Sequence, residues 1–325
     1  MKRPMPLTFS MVAVAAVVAA LAAGCASLAI WAAPAKTASV TRTEAAERAD
    51  ALFWTTLHAG DYEGIPRALT ALTAAYLAEP RDPVTAAHIG WLHIWRLGER
   101  ARLDPAPPSI TDHAVLARKY FEEAVRLRPG EARYLGFYAS SLLAEGNIHK
   151  DEKLTRRGYF TLQDSVRAFP EFNLFTAGYT MSGQLWDGDS YREALENMWR
   201  NLDVCVGERV DRANPDYARF MRLETREGPR RVCWNGEIAP HNFEGFFLNF
   251  GDMLVKSGQV DTARVMYRNA TLAREYPTWS YRGVLEARLR DAAVNVAAFR
   301  AANPGPGAPR MMGASRFACM GCHQR

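Results

Sequence analysis

The chain has 325 residues, 48% hydrophobic and 23% charged, enough apolar material for a sizeable core, which excludes a disordered or low-complexity polymer. Its formal charge of +5 falls to +3 when Lys2 and Arg3 are set aside as part of a targeting segment, too mild a surplus to argue for nucleic acid as a partner. Almost no stretch alternates apolar and polar residues as a half-buried strand does, so an all-α protein is predicted.

Residues 1–35 open with two positive charges and carry no further charge, the outline of an export signal. Within them Leu21-Ala22-Ala23-Gly24-Cys25 resembles the lipobox of bacterial lipoproteins, which implies lipidation of Cys25. The alternative is an uncleaved anchor, because residues 11–33 form an uncharged and largely apolar run long enough to span a bilayer. Either way residues 36–325 are expected on the periplasmic side of a membrane in a bacterial envelope.

Self-similar units follow over residues 44–204 and 242–277. The clearest is NFEGFFLNFGDMLVKSGQVDTARVMYRNATLAREYP, starting at Asn242. Phe247, Phe250-Gly251 and Leu254 keep the spacing W-x2-LG-x2-Y, Gly258 marks a turn, and Ala263, Tyr267 and Pro277 keep A-x3-F and P. This resembles a tetratricopeptide repeat (TPR). Small residues at Gly251, Ala263 and Ala270 let two helices approach, and aromatics fill the space to the next pair. Looser copies are read over residues 44–80, 83–129 (with LDPAPPSITD lengthening the inner loop), 131–170 and 171–204. The resemblance implies a TPR-like α-solenoid of about five helix pairs, with a protein-binding surface.

Residues 205–240 interrupt the units with a charged, Pro- and Gly-containing insertion, of which RLETREGPRR reads as a solvated face. Cys205 and Cys233 bracket it. With Cys25 in the leader and two cysteines in a terminal motif, these two most simply pair in an oxidising compartment; the alternative is two separately buried thiols. Residues 278–302 are expected to form a helix capping the last apolar face, and residues 303–325 an extended tail entered through the helix-breaking, flexible ANPGPGAP.

That tail carries Cys319-Met320-Gly321-Cys322-His323, the c-type haem attachment spacing. Cys319 and Cys322 are expected to bind one haem c through thioethers, and His323 to be the proximal iron ligand. A redox Cys-x-x-Cys needs a preceding strand and a helix N-terminus that lowers the thiol pKa; a zinc site lacks an obvious fourth ligand. Few residues follow the motif in this sequence, so the macrocycle is expected to pack on the repeats, on the capping helix or on a partner. Candidates for the distal iron position are His241, Met311 and Met312. His93 is expected in the core, and His58, His88, His113 and His149 carry no signal of a site. No phosphate loop, metal-binding His pair or nucleophile elbow is present in the sequence. The expected function is electron transfer within or to a larger envelope redox complex docked on the repeats. The alternative is an assembly scaffold or a sensor whose haem is structural or gas-binding.

Overall fold

The computed structural model describes residues 27–234, 242–305 and 307–324. The chain divides after Thr37. Of the first unit, residues 27–31 are helical; Cys25 and most of the 11–33 run lie outside the described residues. No helix among the described residues is long and apolar enough to cross a membrane.

From Ala38 onward the fold is all-α, and no strand occurs among the described residues. Helices α1 (Glu44–His58) and α2 (Ile65–Ala78) pack together, as do α3 (Pro83–Gly98) and α4 (Asp112–Leu127), α5 (Ala132–His149) and α6 (Glu152–Ala168), α7 (Pro170–Met181) and α8 (Asp189–Val206), and α9 (Phe243–Ser257) and α10 (Val260–Asn269). Helix α11 (Arg282–Arg300) covers α9 and α10, and one short turn, α12 (Met320–His323), carries the Cys/His motif. This is a helical-repeat arrangement of five successive pairs with a covering helix.

Local chemistry explains where the helices begin. The side chains of Thr43, Asp82, Asp151 and Asn242 each accept a backbone N–H in the first turn that follows, and Pro83 and Pro170 stand where an N–H has no helical partner. Buried positions recur at helical spacing: Ala46, Ala49, Phe53 and Leu57 on α1; Ala114, Ala117, Phe121 and Ala124 on α4. The small members permit close approach and the large ones fill the layer between pairs.

Helix α9 is buried on nearly all sides because it meets α8, α10, α11 and α12. Two of its buried charged groups, Asp252 and Lys256, are matched. Asp252 Oδ1 accepts from Tyr267 Oη at 2.6 Å and Arg288 Nε at 2.9 Å, and Oδ2 accepts from Met312 N at 2.7 Å. Lys256 Nζ donates to the carbonyls of Ser182 and Gln184 at 2.9 and 2.7 Å. Such satisfaction is what allows charge inside a core.

Cys205 and Cys233 form a disulfide. The insertion they bracket is less solvated than its charge suggests. Tyr217 and Trp234 are buried against Phe243, Tyr217 also meets Phe247 and Phe220, and Asn269 both donates to Pro215 O at 2.8 Å and accepts from Tyr217 N at 3.1 Å. The RLETREGPRR stretch itself remains largely exposed. The aromatics at either side of it do the anchoring.

A Cβ placed on Gly251 would lie 2.2 Å from the Tyr267 ring. Gly251→Val is therefore expected to displace Tyr267 from Asp252 and lower stability by roughly 1–3 kcal/mol in a denaturant titration; an unchanged midpoint would contradict this packing.

Candidate functional site

The terminal segment is not a free appendage. Beyond the Pro/Gly stretch the chain returns to the repeats, and Cys319, Met320, Cys322 and His323 are all buried. The flexibility that the composition predicts is overridden by docking. Met311, Met312 and Cys322 join the apolar cluster built by α5 to α11, whereas Cys319 and Met320 join the one built by α1 to α5.

Polar contacts from four distant elements fix the turn. Glu99, just past the end of α3, accepts the N–H groups of Cys319 and Met320 on Oε1 at 3.0 and 2.9 Å, while its Oε2 accepts from Arg102 Nε at 2.6 Å. Tyr179 on α7 donates its hydroxyl to Ala318 O at 2.8 Å. Asn242, the N-cap of α9, donates its backbone N–H to Cys322 O at 2.7 Å, and Trp279, in the connection ahead of α11, donates Nε1 to Gly321 O at 3.3 Å. The N–H and C=O groups that a four-residue helix leaves over thus find partners from other parts of the fold.

Two glycines make room for the sulfurs. A Cβ on Gly98 would stand 3.2 Å from Cys319 Sγ, and one on Gly245 would stand 2.7 Å from Cys322 Sγ. Met312 packs its sulfur beneath Gly321, where a Cβ would meet it at 2.8 Å.

Cys319, Cys322 and His323 line one cavity of about 320 Å³, open on one side, together with Trp91, Phe137, Phe175, Tyr179 and Met311. Its size falls within the range of roughly 300–1,000 Å³ usual for organic ligands, and apolar and aromatic side chains dominate its wall. The His323 ring meets Trp91 edge to face at a centroid distance of 4.5 Å. Of the distal candidates, Met311 lines the cavity; Met312 does not, its backbone N–H being held by Asp252 and its sulfur by Gly321; His241 lies outside the described residues.

Both motif cysteines are free thiols. Burial pushes the Cys319 thiol well above its ordinary range and Glu99 adds to the shift; burial, then Glu244, does the same for Cys322. This is the reverse of a redox Cys-x-x-Cys, whose reactive thiol is held low at a helix start. Among the described residues no group of three or more His, Cys, Asp or Glu side chains is arranged to hold a bare metal ion. The donor set does fit a flat, apolar group that carries its own metal: two neutral thiols for covalent attachment, one imidazole beside them, and an apolar wall.

The sequence did not single out Glu99, Tyr179, Trp91 or Trp279. His93 is buried as expected, and its Nδ1 lies 2.8 Å from Nδ1 of His113; burial and that neighbour bring His93 down to about 4. The pair lies outside the cavity wall.

The raised thiols are expected to resist alkylation at pH 8 in the unmodified protein and to react at least about tenfold faster after denaturation, since only the thiolate attacks; mass spectrometry of Cys319 and Cys322 peptides reads this directly. Comparison with protein-family models, curated proteins and solved structures found no match.

Proposed function

We propose that this protein is a membrane-attached envelope carrier of one haem c on a TPR-like scaffold, exchanging electrons with a larger redox complex docked on the repeats. The observation that carries the reading is the convergence of Cys319, Cys322 and His323 on a single apolar cavity. The haem, when bound, supplies reversible one-electron exchange at its iron.

Each residue then has a task. Cys319 and Cys322 would hold the macrocycle as thioethers, each S–H adding across a vinyl group with sulfur to one carbon and hydrogen to its neighbour, a step that oxidises and reduces nothing. Both are free thiols, and both line the cavity. His323 is the iron's protein ligand, with its ring braced on Trp91. Phe137, Phe175 and Tyr179, on the wall of the same cavity, would keep water away from a bound porphyrin. Met311 is the favoured distal candidate because it shares the cavity. The leader attaches the whole to a membrane, through a lipid on Cys25 or through an apolar anchor.

Expression with a haem-attachment system is expected to give coloured protein whose haem survives denaturing electrophoresis, and Cys319→Ser/Cys322→Ser is expected to lose that stain entirely. Colourless wild-type protein, or pigment extracted by acidified acetone, contradicts the proposal. Carbon monoxide separates the two haem functions. A carrier with Met311 on the iron binds it poorly until Met311→Ala is made, whereas tight binding by the wild type favours the sensor reading.

A further inference from the structure

Burying a carboxylate is costly, and capping a short helix does not demand one, because a neutral amide side chain also accepts backbone N–H groups. Glu99 is nonetheless 0% exposed at the start of the Cys319–His323 turn. It receives two N–H bonds from the motif itself and is paired with the partly exposed Arg102. Its neighbour Gly98 brings the end of α3, and with it the negative end of that helix's dipole, against Cys319 Sγ. On the other side Glu244, also buried, is next to Gly245, where a Cβ would stand 2.7 Å from Cys322 Sγ. Buried carboxyl side chains therefore stand on both flanks of the motif, Glu99 paired with Arg102 on one, while Arg100 stands on the cavity wall.

We infer that Glu99 is a positioning and potential-setting residue, one that holds the motif turn and keeps the midpoint potential of its haem low. The inference rests on the haem reading above. A ferric site carries one more positive charge than a ferrous one. A fixed negative charge in a poorly solvated surrounding therefore favours the oxidised form, and the potential falls. Arg102 acts in the opposite sense, offsetting part of the Glu99 charge.

The test is a potentiometric titration of the holoprotein, with Glu99→Gln and Arg102→Gln compared with the wild type. The amide of Glu99→Gln still accepts from Cys319 and Met320, so the turn keeps its shape while the charge is removed. The expected result is a midpoint shifted upward in Glu99→Gln and downward in Arg102→Gln. Opposite signs are the signature, because simple loosening of the site moves both variants the same way. Unshifted midpoints, or shifts of one sign, in variants that still carry covalent haem overturn the inference and leave the haem reading standing. Absence of covalent haem in the wild type removes both. If Glu99→Gln yields no holoprotein, Arg102→Gln decides alone: a downward shift supports the assignment and an unchanged midpoint overturns it.

Discussion

The structure depends on the seating of one turn, Cys319–His323, between two apolar clusters. Cys319 and Met320 belong to the cluster of the first helix pairs, and Cys322 belongs to the cluster of the last. A turn so placed acts as a wedge that fixes how the two groups of helices stand to one another. Stacked repeats ordinarily touch only their sequence neighbours. Here α12 packs on both α1 and α9, so an array that is local in principle gains long-range closure.

Polar matching makes that closure specific. An apolar segment alone settles into a groove in several registers, since burial has no direction. Glu99, Tyr179, Asn242 and Trp279 each bind a different backbone group of the segment between Ala318 and Cys322, and a slip of one residue would leave most of those groups buried without partners. The same bonds bring both sulfurs and the imidazole to one cavity wall, so the requirements of packing and of the proposed chemistry are met by a single placement. Asp252 extends the arrangement: by accepting Met312 N–H it sends Met312 into the core, while Met311 lines the cavity.

Much of this fold is legible in the sequence because it is local. Gly251, Ala263 and Tyr267 announce a helix pair by their spacing, and Cys205 and Cys233 were the two cysteines without another use; Pro170, read as the close of one unit, in fact opens the next helix. The Cys/His spacing at 319–323 is equally local. What could not be read is the docking. Glu99 stands in a run of polar residues that resembles any helix end, and nothing within ten positions hints at a partner in the Cys/His turn. Tyr179 and Trp279 look like ordinary repeat aromatics, and the prolines and glycines after α11 correctly suggest a break in the helix while saying nothing of where the chain goes next. Long-range pairing leaves no periodicity for a one-dimensional reading to detect. In the insertion, charge masked the aromatic anchors Tyr217 and Trp234 for a related reason: average composition hides a few side chains that bury deeply.

The contact between Glu99 and Cys319 also spans 220 positions of chain. A contact of that separation closes late in folding, after local helix pairs can form, so Glu99 is solvated until the amides of Cys319 and Met320 reach it. The nascent protein thus stays unsealed until its cysteines arrive, and an interval is built into its own assembly during which those thiols have not yet been buried.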